Sequence, residues 1–246
     1  MDKKAATFGS SAFALGILKF LDRVEYRRCD RGEDFEAICR LRYKAYESSG
    51  LLPPGGPKKI SDDLDFKPNC HNFSIHVDGM LVSTLRIHHL TGERPWGPSM
   101  AVYEDVVAPR LAAGEHFIDP SRFASDPDWS TQMPEIPYIT LRLAGMACMY
   151  FDAPFCLSTI RPEHSAFYRR VYGSRQIGEL RNYPRFTRKV GLYQADVEAI
   201  RERSFVRYPF FKSTAVEQRL LFDRPSAGAD APLTVLPTAR SLRDAA

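Results

Sequence analysis

Asp119 and Arg122 stand three residues apart in the segment 116–123, HFIDPSRF. An acid and a base are separated there by a Pro-Ser step beside an apolar stretch. Opposite charges next to Phe117, Ile118, Phe123 and Ala124 are expensive to bury unless each finds a partner. Two readings are open at this point: a structural ion pair closing a strand, or part of a reactive site. Arg42, Asp62, Asp65 and Arg86 upstream widen the constellation to three arginines and three carboxylates, which favours the second.

The elements that must position these residues follow from periodicity and turn signals. Val24 to Cys29 reads as a strand, with Asp30 as the N-cap of a helix running to about Ser48. Within it Phe35, Ile38, Leu41 and Ala45 recur at near-helical spacing, and Arg42 shares a face with Ile38 and Tyr46. The span Ser49 to Asn69 is rich in Pro, Gly, Lys and Asp and has no period. A loop of that length inside a compact domain reads as a binding loop or lid. Asn72 to Val77 and Met80 to Leu90, joined by Asp78-Gly79, form a hairpin carrying Arg86. Met100 to Ala113 reads as a helix and Glu115 to Ala124 as the strand bearing Asp119 and Arg122. Pro137 to Phe151 is an apolar helix, Phe155 to Ile160 a buried-type strand and Pro162 to Tyr172 a helix opened by proline. At least one more strand (Val190 to Gln194) and a helix from about Asp196 follow. The tail beyond Asp223 has the composition of a flexible loop. Mixed strands and helices of this kind predict an α/β domain with a mixed sheet covered by helices.

Composition narrows the class. With 246 residues, 44% hydrophobic and 26% charged, the chain can build a sizeable core and is not disordered. A net charge of +4 does not by itself call for nucleic acid. The aromatic-interleaved basic stretch 169–186 is the one superficial argument for such a partner, and no nucleic acid is expected. Five scattered cysteines form no CxxC or Cys/His ligand spacing, so reduced thiols and no metal site are expected. Lys3 and Lys4 precede a semi-apolar run, Ala5 to Leu21, that Lys19 interrupts. No cleavage site follows it, and it is short of a membrane span, so a packing helix and a cytoplasmic location are expected.

The segment 156–173, CLSTIRPEHSAFYRRVYG, resembles the strand-to-helix element of Gcn5-related N-acyltransferases. His164 stands where that family has an asparagine, Tyr168 where it has its tyrosine, and Gly173 at the helix end. The resemblance implies that Tyr168 protonates a thiolate leaving group, a task a phenol can perform; a core aromatic is the plainer reading. Arg42 with Tyr46, Asp62 with Asp65, Arg86, and Asp119-x-x-Arg122 also resemble the ordered signature of acyl-homoserine-lactone synthases. There the signature's tryptophan falls at Leu52, and its glutamate is the shorter Asp119.

The blocks LRYKAYESSGLLP, DPSRFASDP, PYITLRLAGMA, RPEHSAFYRRVYG and YPFFKSTAVEQRLLF resemble the sister group, the long-chain N-acyl amino acid synthases. The likeness runs over Val24 to Phe222. It implies a Gcn5-related fold, a mostly antiparallel central sheet flanked by helices, with a helical segment 1–23 before it and a flexible tail 223–246 after. It also implies transfer of a fatty acyl group from a phosphopantetheine thioester to the α-amine of an amino acid, with no permanently bound cofactor. On this reading Asp119, Arg122 and Tyr168 are the catalytic candidates. Arg42, Tyr46, Asp62, Asp65, Arg86, Phe123 and His164 are the substrate-binding candidates. Arg86 or Arg122 suits a carboxylate, and the apolar helix with Phe123 suits an acyl chain.

Between Arg122 and Met146 there is one glycine, Gly145, so the Gly-rich loop that cradles pyrophosphate in acetyl-CoA users of the superfamily is missing. Acyl carrier protein is therefore the expected donor and partner, with acyl-CoA as the alternative. Arg161, Arg169, Arg170 and Arg175, continued by Arg181, Arg185, Arg188 and Lys189, form a basic region suited to steering an acidic carrier, or a plain solvated face. The lipid product is expected to partition to membrane and to act as a signalling lipid. An acyl-homoserine-lactone synthase, a CoA-dependent acetyltransferase and a catalytically silent lipid- or carrier-binding relative are the competing readings.

Overall fold

A computed structural model of the chain describes residues 11–52, 55–184, 186–224 and 233–245. Eight strands form one sheet in the order β6-β7-β5-β4-β3-β2-β1-β8. In chain order the named elements are α1 (Ala12–Phe20), β1 (Val24–Arg28), α2 (Gly32–Ser48), β2 (Cys70–Val77), β3 (Met80–Leu90), α3 (Pro98–Ala112) and β4 (Phe117–Ser125). They continue with α4 (Pro127–Ser130), α5 (Ile136–Tyr150), β5 (Phe155–Ile160), α6 (Ser165–Tyr172), β6 (Arg175–Asn182), β7 (Lys189–Asp196), α7 (Val197–Arg207), α8 (Ala215–Phe222) and β8 (Thr234–Val235). Every neighbouring pair is antiparallel except β4 and β5.

That parallel pair is the opening of the sheet. Phe117 and Ile118 pair with Phe155 and Cys156, and pairing stops there, although β4 runs on to Ser125 and β5 to Ile160. The two strands diverge beyond Ile118, leaving both edges open to a pocket. β3 is paired on both sides and buried over most of its length, which explains its near-continuous apolar and small-residue character.

The larger core lies on the face covered by α1, α5 and α8, with Ile17, Leu18, Phe73, Ile75, Leu85, Ile87, Ile118, Ile139, Leu143 and Phe222. Arg142 of α5 is fully buried there and paired to Glu217 of α8. It also donates to the carbonyls of Phe210 (2.7 Å) and Lys212 (2.6 Å), so three hydrogen-bonded partners offset the cost of burying its charge. On the other face α3 packs Tyr103, Val107 and Leu111 against Leu90, Phe117, Leu157 and Leu192. There α2 packs Ala45 and Tyr46 against Leu51 and Ala124.

Most expected elements are found within a residue or two. The N-cap of α2 is Arg31 and not Asp30. The Asp30 carboxylate is taken instead by Arg28 Nε (2.5 Å) and the backbone N–H of Asn72 (3.3 Å). The loop 49–69 contains a 3-10 turn, Asp63–Phe66, closed by a capping box between Asp62 and Asp65. The described part of the segment beyond Asp223 adds β8 to the edge of β1 and a 3-10 helix, Thr238–Ala245. Its Thr238 N–H donates to Glu217 Oε2 at 3.0 Å. Lys3, Lys4, Arg185 and the stretch 225–232 lie outside the described residues. Among the described residues no helix is long and apolar enough to cross a membrane, and no group of three or more His, Cys, Asp or Glu could hold a metal ion.

Candidate active site

Arg42, Asp62, Asp65, Arg86 and Arg122 come together in one hydrogen-bonded chain on the α2 face of β3 and β4. Arg42, fully buried on α2, donates to Asp65 Oδ1 (2.9 Å) and Asn72 Oδ1 (2.9 Å). Arg86 Nη1 meets the same Asp65 oxygen at 3.1 Å and Asp62 Oδ1 at 2.6 Å. Asp62 Oδ2 accepts from Arg122 Nη2. The capping box that shapes the 3-10 turn thus also sets the spacing of the two carboxylates. Burial would raise the Asp62 carboxyl, but Arg86 and Arg122 outweigh it and hold the group well below the ordinary carboxylate range.

A bulge aims Arg122. Arg86 pairs with Ser121 while Thr84 pairs with Ala124, so two residues of β4 oppose Leu85. Arg122 has φ of 53°, a left-handed conformation that costs a non-glycine residue of order 1 kcal/mol or more. Its side chain lies along the pocket between the diverging strands. Arg122 spends Nη2 on Asp62, while its buried Nε has no partner.

Asp119 and Arg122 are not an ion pair. Asp119 is fully buried and accepts from the backbone N–H of Ser99 (2.8 Å) and from Ser99 Oγ (2.7 Å) at the start of α3. Burial raises its carboxyl to about 6, against the pull of Ser99 and of Arg86. Gly97, the N-cap of α3, is demanded by this close approach. A Cβ there would lie 2.8 Å from Asp119 Oδ2 and 2.7 Å from a Leu90 methyl.

The pocket has a volume of about 470 Å³. Arg122, Phe123, Tyr46, His164, Arg161 and Tyr168 are on its wall. Arg42, Asp62, Asp65, Arg86 and Asp119 lie behind it. Behind Pro120, Leu141, Ser158 and Tyr168 lies a second, apolar cavity reaching Ala144, Gly145, Cys148, Met149, Ile200 and Phe205. Tyr168 therefore stands where the two spaces meet. Burial beside Cys156 pushes its phenol up, so it is a proton donor at neutral pH. His164 Nε2 accepts from Arg161 Nη2 at 2.8 Å, since a guanidinium only donates, and burial and that guanidinium lower its pKa. Arg161 is ion-paired to Glu163 (3.0 Å), while Arg169, Arg170 and Arg175 are exposed.

Two aromatic residues were not expected at the site. Tyr183 and Phe186 follow β6 and stack at 4.8 Å, and Phe186 meets Tyr46 edge-on at 5.5 Å. With Leu51 they line the pocket beside Arg122. Ser99 and Thr159 were also missed, and neither carries a sequence signal beyond its hydroxyl.

Residues 37–196, well over half of the chain, match the family model described as N-acyl amino acid synthase FeeM. No curated protein sequence matches. Among solved structures the chain resembles FeeM, an N-acyl amino acid synthase from uncultured soil microbes. Identity is 18%, with 76% of this chain and 98% of that one covered and a TM-score of 0.59. It also resembles TofI in its apo form (16% identity, 77% and 99% covered, TM-score 0.52). The acyl-homoserine-lactone synthase LasI is similar too (16%, 70% and 88%, 0.50). At these identities the likeness is one of fold.

Proposed function

Because the chain belongs to the N-acyl amino acid synthase family, we propose that it moves a long-chain fatty acyl group from acyl carrier protein to the α-amine of an amino acid. The observation that carries this reading is a guanidinium with unspent donors, Arg122, on the wall of a pocket that shares Pro120, Leu141, Ser158 and Tyr168 with an apolar cavity. An amino acid needs the first for its carboxylate, and an acyl chain needs the second. Arg86, Asp62, Asp65 and Arg42 hold Arg122 in place from behind. Tyr46, Phe123, Tyr183 and Phe186 enclose the acceptor. The thioester enters through the gap between β4 and β5, and its acyl chain passes Tyr168 into the cavity lined by α5. Tyr168 protonates the departing thiolate.

Acyl carrier protein is the favoured donor because the β4-to-α5 connection offers no phosphate cradle. It carries Asp126 and Asp128, both paired to Lys44 at 2.7 Å, where a pyrophosphate site would need unopposed N–H groups. The exposed Arg169, Arg170 and Arg175 beside the gap suit the acidic carrier. The reaction needs no resident cofactor, and the long-chain product would partition to membrane from a cytoplasmic enzyme. The ordered Arg-Asp-Asp-Arg-Arg chain favours a second reading, an acyl-homoserine-lactone synthase.

Purified protein incubated with acyl carrier protein or CoA thioesters and either mixed amino acids or S-adenosylmethionine separates these readings by mass spectrometry. N-acyl amino acids formed by the wild type and absent with Arg122→Ala are expected. Acyl-homoserine lactone alone would establish the second reading, and turnover undiminished in Arg122→Ala would refute the site.

A further inference from the structure

The amine that attacks a thioester must first lose a proton, yet the carboxylate best suited to take it, Asp119, is sealed from the pocket. Ser99 Oγ donates to Asp119 Oδ1 at 2.7 Å, and Ser99 Oγ lies 3.0 Å from Thr159 Oγ1. A hydroxyl has one proton. With the Ser99 proton committed to the carboxylate, the Thr159 proton must point at Ser99 Oγ. Thr159 is half-buried on the pocket side of β5, where that strand has parted from β4, so its free lone pairs face the space left for the acceptor.

We propose that Thr159 and Ser99 form a two-hydroxyl relay that carries the acceptor ammonium's proton to Asp119. The proposal rests on the acyl-transfer reading. In the step the N–H bond breaks and its electron pair stays on nitrogen. That proton binds Thr159 Oγ1, the Thr159 proton passes to Ser99 Oγ, and the Ser99 proton passes to Asp119 Oδ1. An ammonium and a carboxylate become an amine and a carboxylic acid, with no co-reactant. The reverse transfer then returns the proton to water once the product has left.

The surroundings of Asp119 suit this task. The backbone N–H of Ser99 holds Oδ2 at 2.8 Å, leaving Oδ1 to the relay. Gly97 seals the carboxylate from behind. The charged and titratable groups around it are Arg86 and His88 of β3 and Cys156 of β5, with Ser99 the contact from α3. Burial keeps His88 neutral, and the contact with Cys148 together with burial keeps the Cys156 thiol protonated, so neither competes for the proton at neutral pH.

The test compares wild type, Thr159→Val, Thr159→Ser and Ser99→Ala, each checked for an unchanged melting profile, in amide formation from purified acyl donor and amino acid. Thr159→Val is expected to lower kcat at pH 7 by about 100-fold or more, with KM for the amino acid unchanged. Thr159→Ser should restore most of it. The Thr159→Val deficit should shrink as pH rises toward that of the free amine, and Ser99→Ala/Thr159→Val should be no worse than either single change. A folded Thr159→Val protein with wild-type kcat at pH 7, beside an active wild type, overturns the relay alone. A wild type that forms no amide overturns the acyl-transfer reading and the relay with it.

Discussion

Arg42 and Arg86 share a single oxygen of Asp65, at 2.9 and 3.1 Å, with all three side chains fully buried. Two guanidinium ions are held side by side by one carboxylate, and the site wall is built on that arrangement. Removing a buried partner leaves charge uncompensated, which costs about 3–5 kcal/mol. Asp65→Ala should therefore lower the denaturation free energy by about that amount, measured by urea titration. Asp65→Asn, which keeps the shape and loses the charge, should fall in between.

Substitution at Arg122 separates strain from function. Arg122→Ala and Arg122→Gly should both lose turnover, since each removes the guanidinium. Only glycine adopts the left-handed conformation without penalty. Arg122→Gly should therefore be more stable than Arg122→Ala by about 1 kcal/mol, read from paired thermal melts. Equal melting would mean that the φ of 53° stores no strain.

Acid should weaken the fold well before ordinary carboxylates titrate. Burial lowers His71 to about 3, His88 to about 3 and His89 to about 4. Each is neutral in the fold, whereas in the unfolded chain each binds a proton below about pH 6.5. Their contribution to stability is complete above that pH and is lost as pH falls toward 4 and 3. Asp62, held low by its arginines, adds a loss of the same sign further down. Asp119, raised to about 6, runs the other way and costs stability as pH rises through that value. The three histidines outweigh it. Melting temperature should drop steadily from pH 6.5 to 4, and His71→Phe, which keeps a ring against Phe73, Phe151 and Phe222, should flatten the slope.

Gly145 lies on α5 at the apolar cavity, and a Cβ there would meet nothing within 4 Å. Gly145→Leu should fill that space with no loss of stability, because leucine is the better helix former. If the cavity takes the acyl chain, the products should shorten by several carbons. An unchanged chain-length distribution by mass spectrometry would place the chain elsewhere.

Carrier docking is separable from chemistry. Reversing Arg169 and Arg170 to glutamate should raise KM for the carrier-bound donor several-fold and leave kcat alone, with the difference fading at high salt. The same KM for both proteins would move the docking surface off α6.

The sequence discloses the parts of the site whose spacing is local. Arg42 and Tyr46 share a helix face, and Arg86 and Arg122 each lie on a strand, as the pattern leads one to expect; the turn that joins Asp62 to Asp65 and the adjacency of the two strands are seen only in the fold. Partners fixed by tertiary approach are not legible. The Ser99 hydroxyl finds Asp119 and Thr159 from twenty and sixty residues away. Tyr183 and Phe186 sit in an aperiodic turn, where an aromatic residue carries no sign of what it will face. The Asp119–Arg122 spacing misleads for a related reason. Both lie in one motif, but a strand sends neighbours to opposite sides and a bulge redirects one of them, so spacing alone does not pair them.

That bulge gives β4 a reading frame. Before it, odd-numbered Asp119 and Ser121 face α2 and α3; after it, even-numbered Ala124 takes that face. Phe123 turns with Ser125 to the α5 side. Deleting one residue between Pro120 and Phe123 would remove the bulge and restore simple alternation, with Ala124 still opposite Thr84 and Ser125 opposite Ser83. What would be lost is the left-handed step at Arg122 that aims its guanidinium along the pocket. The site can absorb many exchanges of one side chain for another, but along these four residues it cannot absorb a change in their number.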